Sequence, residues 1–192
     1  ADFPSDLVVF AHDTAQVQEV LRACQLHLVP VTPVAARTGK SGGCLPVQGG
    51  VSLSLERMNR ILSIDAENLT ATVQPGVITG ALMKAAEEKS LFYPPDPNSW
   101  ESCTLGGNIA ENAGGPRALK YGVTRDYVLG LEWVLPDGEV VRVGRRTIKG
   151  VAGYDLVGLF VGSEGTLGVA TEITLQLLPL PRHVMTALLV FP

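Results

Sequence analysis

Apolar residues recur along this chain with the two spacings that distinguish helices from strands. Residues 7–10 are mostly apolar and predict a short strand. Asp13 or Thr14 is then placed to cap a helix, whose apolar positions follow helical spacing at Val17, Val20, Leu21, Cys24 and Leu28. Residues 30–33 predict the next strand, so the chain opens with a βαβ unit.

Hairpins are predicted after this opening unit. Residues 51–55 predict a single strand, and residues 61–65 and 69–74 predict a hairpin with a polar turn between its strands. A second hairpin over residues 129–143 turns at Asp137-Gly138, a dipeptide that favours tight turns.

Two more helices, one strand and one long loop complete the pattern. Residues 77–90 and 155–161 have the spacing of helices, and residues 169–177 alternate as a strand does. Residues 93–127 show little periodicity, and a loop of that length predicts a functional segment. Early parallel and later antiparallel strands together predict an α+β fold with two lobes that meet near residues 74–77.

Composition and charge exclude several classes of protein. Hydrophobic residues make up 46% of the chain and charged residues 18%, which is typical of a globular domain. The net charge of −4 comes from interleaved acids and bases, so nucleic acid is not an expected partner. Three cysteines without a CxxC pair predict a reducing, cytoplasmic compartment. No apolar run is long enough to span a membrane, and no secretory signal is recognised. The chain stops inside an apolar run at residues 188–192, predicted as a strand, so we expect it to be part of a longer polypeptide.

Glycine is concentrated in three clusters, at residues 39–50, 106–115 and 162–168. In the first, Gly39-Lys40-Ser41 is similar to the end of the P-loop of NTPases. That motif requires a glycine at position 34, where Val34 stands, and a helix after the lysine, which Gly42-Gly43 disfavours. Two interpretations remain: a nest of backbone N–H groups for an anion such as pyrophosphate, or a glycine-rich surface turn.

The other two clusters differ in how specific they are. The second, over residues 94–115, holds small residues and neutral hydrogen-bonding groups, with few of the charges of a solvated loop. A flat heteroaromatic ring with carbonyl and N–H edges requires such a surface. The third, over residues 162–169, leads into a strand, and a turn braced by Glu164 explains it equally well.

Taken in order, these segments resemble the FAD-binding domain of the FAD-linked oxidase superfamily, of the vanillyl-alcohol-oxidase or PCMH type. The resemblance is closest to the branch of the D-lactate dehydrogenases and the flavin subunit of glycolate oxidase. It rests on residues 94–97, 103–108, 110–115, 120–130, 153–156 and 162–169. It implies an α+β fold, a PCMH-type FAD-binding domain of two α/β subdomains with the flavin between them. The expected bounds are residues 1–75 and 76–180, with 181–192 as the start of a C-terminal substrate (cap) domain.

The resemblance also implies which residues bind FAD: the pyrophosphate loop, a segment along the ribityl chain and the isoalloxazine ring, the stretch around Glu164, and Pro75 between the lobes. The expected cofactor-binding residues are Pro33, Val34, Ala35, Ala36, Arg37, Thr38, Gly39, Lys40, Ser41, Pro75, Pro95, Asp96, Ser99, Cys103, Thr104, Gly106, Gly107, Asn108, Ala113, Gly114, Glu164, Gly165 and Val169.

The loop departs from the family pattern at several positions. Ala35 and Arg37 stand where relatives have glycine, so Arg37 is expected to pair with phosphate, the alternative being a solvent-exposed side chain. Relatives that attach flavin through histidine place it after the paired glycines, where this chain has Cys44, so we expect non-covalent FAD. Cys103 is expected to be a small loop residue and not a nucleophile. The histidines are expected to be surface or structural residues: His12, His27 and His183.

The implied activity is that of a dehydrogenase or oxidase acting on CH–OH groups. Hydride leaves the α-carbon of a D-2-hydroxy acid, such as D-lactate or glycolate, for flavin N5, and a base removes the hydroxyl proton. The base and the groups that bind the carboxylate are expected in the cap domain, so we name no catalytic residue and no metal ligand. The chain alone is expected to be inactive.

Other assignments stay open. The alternatives are a flavoprotein of the same fold with another substrate, such as a sugar or an ether lipid precursor, and a non-catalytic flavin-binding subunit for electron transfer. The implied partners are a small 2-hydroxy acid and an electron acceptor or partner subunit. Such a subunit would allow a cytoplasmic protein to lie peripherally at the inner membrane.

Overall fold

The start of the chain forms a three-stranded parallel sheet. The computed structural model describes residues 3–145, 147, 149–150, 152–183 and 185–191. Strands β1 (Leu7–Phe10), β2 (Val31–Val34) and β3 (Val51–Ser54) lie in the spatial order β1-β3-β2. The predicted βαβ unit is present, and β3 lies between its two strands.

Helix α1 (Thr14–His27) connects β1 to β2 and packs on this sheet. The Asp13 carboxylate caps it by accepting a hydrogen bond from the Gln16 N–H at 2.9 Å, as predicted. The predicted apolar stripe buries Val17, Leu21 and Cys24. Leu28 is the exception, because it ends the helix in a left-handed conformation and its side chain is exposed.

The later strands form a five-stranded antiparallel sheet in the spatial order β4-β5-β9-β7-β8. Both predicted hairpins are confirmed, as β4–β5 and β7–β8. A separate pair of two-residue strands, β6 (Leu91–Phe92) and β10 (Leu178–Pro179), was not predicted. The five strands are β4 (Ile61–Asp65), β5 (Thr70–Val73), β7 (Val128–Val134), β8 (Val140–Gly144) and β9 (Val169–Gln176).

Helices α2 (Thr79–Glu87) and α5 (Leu156–Phe160) lie where helices were predicted. The prediction of a loop over residues 93–127 is wrong, because that segment contains three short helical elements. They are α3 (Leu105–Glu111), α4 (Ala118–Tyr121) and a 3₁₀ turn (Thr124–Tyr127). None of the described helices has both the length and the apolar composition that crossing a membrane requires.

Local contacts explain why α3 forms despite two glycines, which disfavour helices. Thr104 caps it by accepting a hydrogen bond from the Gly107 N–H at 3.3 Å. Leu105 and Ile109 are buried in the core on its inner side. Tertiary packing therefore outweighs the poor helix propensity of the segment.

The apolar run near the C-terminus was also predicted as a strand, and this is wrong for the residues described there. Residues 185–191 have no regular secondary structure, and Leu188, Leu189 and Val190 are exposed. No described strand pairs with them, and an isolated strand is not stable. Pro192 lies outside the described residues.

The described residues form two apolar cores. The larger lies against the antiparallel sheet, and in it the Trp133 ring stacks on Phe160 with centroids 4.6 Å apart. The smaller packs α1 against the parallel sheet and includes Val134 and Val169, which come from the antiparallel sheet. Both sheets therefore contribute to the smaller core, and the domain boundary near residue 75 stays a prediction.

Glu132 of β7 provides a polar link between the same parts. Its carboxylate accepts hydrogen bonds from Thr14 of α1 at 2.8 Å, from Thr171 of β9 at 2.9 Å and from Arg142 of β8 at 2.6 Å. Burial alone would raise the pKa of Glu132, but these hydrogen bonds outweigh it, so the pKa lies below its usual value.

Candidate functional site

A cleft of about 230 Å³ opens where the three glycine clusters of the sequence meet. Its lining comes from the loop after β2, from Pro75, from α3 and the residues before it, and from the turn that precedes β9. Two buried apolar residues, Leu55 just after β3 and Trp133 of β7, also contribute. Segments far apart in sequence therefore form one site.

The loop of residues 35–44, which follows β2, has backbone N–H groups without partners among the described residues. None of its N–H groups donates a hydrogen bond to any residue that the structure describes, whereas the Val34 carbonyl just before it accepts from the Leu55 N–H at 2.9 Å. Arg37 has a φ of 56°, in the left-handed region that favours glycine. Its side chain is exposed and forms no ion pair with the described residues. Consecutive free N–H groups bind anions, so this loop is suited to a pyrophosphate.

A second part of the cleft, the α3 wall, consists of α3 and the Pro75-Gly76 segment packed against it. The Gly106 N–H donates to Pro75 O at 2.8 Å, and the Leu105 N–H donates to Val77 O at 2.9 Å. A Cβ atom at Gly106 would lie 2.7 Å from Pro75 Cβ, and one at Gly76 would lie 2.4 Å from the Leu55 carbonyl oxygen. Glycine is therefore required here for close packing.

Asn108 of α3 lines the cleft, although only 3% of it is exposed. Its side-chain Nδ2 donates a hydrogen bond at 2.7 Å to the hydroxyl of Thr79, which is fully buried. A buried amide that is held at one end presents a fixed group to a ligand.

Two carboxylates lie beside the 35–44 loop. Glu111 Oε1 accepts a hydrogen bond from the Ser41 hydroxyl at 2.8 Å. Glu164 Oε2 would lie 3.4 Å from a Cβ atom at Gly43. Arg37 and Lys40 of the loop offset these two negative charges, which would otherwise oppose the binding of an anion.

At two positions of the cleft lining, glycine leaves open the space that a side chain would fill. A Cβ atom at Gly107 would approach only the Thr104 hydroxyl, at 3.4 Å, and one at Gly165 only the Pro33 ring, at 3.5 Å. This open space admits a flat ring, and the free N–H groups of the 35–44 loop suit the phosphates attached to it. The residues present therefore fit a flavin dinucleotide.

Most of the residues predicted to bind the cofactor line this cleft. They are Pro33, Val34, Ala35, Ala36, Arg37, Thr38, Gly39, Pro75, Ser99, Thr104, Gly106, Gly107, Asn108, Ala113, Glu164, Gly165 and Val169. Their contacts with the cofactor stay predictions.

The structure places the other predicted residues away from the cleft lining. Asp96 forms an ion pair with Arg117 at 3.3 Å, and Cys103 is buried beside Thr79. A side chain at Gly114 would meet Val123 at 3.2 Å. Pro95 is buried, whereas Lys40 and Ser41 are exposed on the loop. All three histidines are exposed, so none lines the cleft.

Several lining residues were not predicted. Ala110 and Glu111 lie one helical turn after Gly106 and Gly107 in α3. A prediction of this helix from the sequence would have placed them on the same side as those two glycines. Leu55 and Trp133 are ordinary core residues in sequence, and nothing in their local pattern indicates a cleft. The full set is Cys44, Leu55, Pro97, Ile109, Ala110, Glu111, Trp133, Gly168 and Ala170. Gly43, which ends the loop expected to hold the pyrophosphate, lines the cleft as well.

Comparison with known families assigns the cleft. A family model described as "FAD binding domain" matches residues 5–144, which include the loop, Pro75 and α3. This chain belongs to that family. FAD is therefore the cofactor of this FAD binding domain, and the NTPase interpretation of Gly39-Lys40-Ser41 is excluded.

Relatives in sequence are named as oxidoreductases. Glycolate oxidase subunit GlcD of Bacillus subtilis (strain 168) is 53% identical over 97% of this chain and 40% of its own length. A D-lactate dehydrogenase of Anaerostipes hadrus is 46% identical over 96% of this chain and 38% of its own length. The FAD binding domain thus spans about 40% of the length of these relatives.

Solved structures support the fold. An alkyldihydroxyacetonephosphate synthase matches with a TM-score of 0.79 and 29% identity, over 92% of this chain and 34% of its own. The 6-hydroxy-D-nicotine oxidase of Arthrobacter nicotinovorans matches with a TM-score of 0.78 at 24% identity, over 93% of this chain and 38% of its own. The expected PCMH-type fold is confirmed.

Proposed function

We propose that this chain is the FAD-binding part of a dehydrogenase that oxidises a D-2-hydroxy acid, such as D-lactate or glycolate. The observation that supports it most is the match of nearly the whole chain to a glycolate oxidase subunit and a D-lactate dehydrogenase. The cleft agrees with it, because the open space at its glycines and the free N–H groups of its loop fit a flavin dinucleotide.

Different residues of the chain bind different parts of FAD. The backbone N–H groups of residues 35–44 and the Arg37 guanidinium bind the pyrophosphate. Gly107 and Gly165 leave room for the flat ring, and Asn108 binds at its edge. We expect the cofactor to be held without a covalent bond, because Cys44 stands after the paired glycines, where relatives that attach flavin through histidine have that histidine.

A bound flavin would supply a hydride acceptor, at N5, for the oxidation of the substrate α-carbon. The substrate hydroxyl must also lose a proton, and its carboxylate needs cationic partners. Glu111 and Glu164 are the carboxylates in the described cleft, and both lie beside the 35–44 loop, where Glu111 accepts a hydrogen bond from Ser41. We therefore assign the base and the carboxylate-binding groups to a further domain of the whole protein.

A titration tests this proposal. The purified chain should take up FAD and turn yellow, without turnover of D-lactate or glycolate. The full-length protein should bleach when one of these acids is added without an electron acceptor. Turnover by the chain alone would contradict the assignment of the base and the carboxylate-binding groups to a further domain. A chain that takes up no FAD would contradict the cofactor assignment.

A partner subunit is also proposed, because two relatives are named as subunits of glycolate oxidase. The three free cysteines favour a reducing compartment, so we place the protein in the cytoplasm, with any contact to a membrane made through that partner. The likeness to alkyldihydroxyacetonephosphate synthase favours a second candidate, a flavoprotein acting on an ether lipid precursor. The same bleaching experiment with both substrate classes distinguishes them.

A further inference from the structure

Behind the cleft, buried hydrogen bonds fix the side chain of Asn108. Thr79, the first residue of α2, is fully buried and does not line the cleft. Its hydroxyl accepts a hydrogen bond from Asn108 Nδ2 at 2.7 Å. The same hydroxyl donates to Cys103 O at 3.4 Å and lies 3.2 Å from Cys103 Sγ. Thr79 therefore acts on the cleft indirectly, through its hydrogen bond with Asn108.

This arrangement decides which atom of the Asn108 amide is available. Because Nδ2 is directed at Thr79, Oδ1 is directed away from it. Oδ1 accepts no hydrogen bond from the described residues, and it is not among the enclosed side-chain atoms that lack a partner, so it is open to the cleft. Asn108 thus offers a hydrogen-bond acceptor to a ligand.

We propose that Thr79 is a positioning residue that holds Asn108 Oδ1 as the acceptor for the N3–H group of the bound flavin. This inference rests on the proposed function above. The oxidised isoalloxazine ring has one N–H group, at N3, and its other edge atoms are acceptors. An amide that rotated freely would present either Nδ2 or Oδ1 to the flavin ring. The hydrogen bond from Nδ2 to Thr79 leaves Oδ1 for the ring. The backbone carbonyl of Cys103 orients the Thr79 hydroxyl in turn, because it accepts a hydrogen bond from that hydroxyl.

Matched variants of Thr79 separate the hydroxyl from the volume of the side chain. Thr79→Val removes the hydroxyl and keeps the shape, so FAD binding to the chain should weaken about threefold to tenfold, the worth of one neutral hydrogen bond. Thr79→Ser keeps the hydroxyl and should bind as the wild type does. Quenching of flavin fluorescence at equilibrium measures both, and Thr79→Ala replaces the valine variant if that one does not fold.

A double-mutant cycle tests whether Thr79 acts through Asn108. In an Asn108→Ala background, Thr79→Val should change FAD affinity less than about twofold, because the amide that it orients is gone. A loss as large as in the wild-type background would overturn the inference.

The ionisation of the bound flavin identifies the atom. Loss of the N3 proton at high pH changes the visible spectrum, and an acceptor at N3 opposes that loss. The midpoint of the spectral change should therefore fall to lower pH in Thr79→Val and stay in place in Thr79→Ser. Equal midpoints in wild type and Thr79→Val would overturn this inference alone. A wild-type chain that binds no FAD would contradict the proposed function as well.

Discussion

The 35–44 loop and the α3 wall both line the cleft, and their backbones are bonded in opposite ways. In the wall, the N–H groups of Leu105 and Gly106 are paired with carbonyls of residues 75–77, and added atoms at Gly106 would collide with Pro75. In the loop, no described residue accepts from the backbone N–H groups. Glycine serves close packing in the wall, whereas a left-handed conformation is held by Arg37 in the loop.

Because of this difference, the stability of the chain and its affinity for FAD should depend on different residues. The wall residues Leu105 and Gly106 make their hydrogen bonds in the free chain, so changes at these two residues should alter the free energy of unfolding. The loop lacks hydrogen bonds that a bound anion can supply, so changes there should alter FAD binding and leave unfolding nearly unaffected.

The largest expected effect comes from Gly106→Ala in the wall. The new methyl group would lie 2.7 Å from Pro75 Cβ and 3.0 Å from Pro75 O. We expect a loss of about 1–3 kcal/mol in the free energy of unfolding, measured by urea denaturation.

The neighbouring Gly107→Ala is the matched control in the same helix. Its methyl group enters the cleft and meets only the Thr104 hydroxyl, so stability should be unchanged or slightly higher, while FAD binding weakens about tenfold. Equal losses of stability in both variants would contradict the distinction between packing and cleft-facing glycines.

A smaller effect is expected from Arg37→Gly in the loop. Glycine adopts the left-handed conformation without strain, so the free chain should be as stable as the wild type or gain up to about 1 kcal/mol. If the guanidinium pairs with phosphate, FAD binding should weaken about fivefold to tenfold and depend less on salt.

Lys40→Gln provides the control for Arg37. Lys40 lies in the same loop but does not line the cleft, so its loss should change FAD affinity less than about twofold. A larger effect for Lys40 than for Arg37 would reverse the assignment of the phosphate partner.

The smallest expected effect is a change in the pH dependence of stability at Glu132, which belongs to neither the loop nor the wall. Its pKa is lower in the folded chain than in the unfolded one, so its contribution is complete at neutral pH and is lost as the pH falls through the folded pKa. Glu132→Gln should therefore be less stable at pH 7 and converge with the wild type in acid. Parallel unfolding curves from pH 7 to pH 3 would contradict this.

Hydrophobic periodicity predicts the helices and strands whose apolar pattern is long enough to recognise. It fails for elements that form because of tertiary contacts. Helix α1 and both hairpins have complete patterns, so the sequence predicts them. Helix α3 has little more than one turn between Leu105 and Ile109 and contains Gly106-Gly107, so it forms because of its Thr104 cap and its packing in the core and against Pro75.

The candidate site divides in the same way. Its glycine-rich segments are visible in sequence because their composition is unusual. Leu55 just after β3 and Trp133 of β7 enter the cleft from the core, and their strand patterns serve the core as well. The hydrogen bond from Asn108 to Thr79 crosses 29 residues, a separation that no local pattern reports.

Amide hydrogen exchange with and without FAD tests the contrast most directly. In the free chain, the amides of residues 35–44 should exchange rapidly because they are unbonded, whereas those of Leu105 and Gly106 should be protected. Saturating FAD should slow exchange across the loop and leave the two wall amides nearly unchanged. Bound FAD with a loop that still exchanges rapidly, or a loop already protected without FAD, would contradict the claim that the loop backbone binds the cofactor.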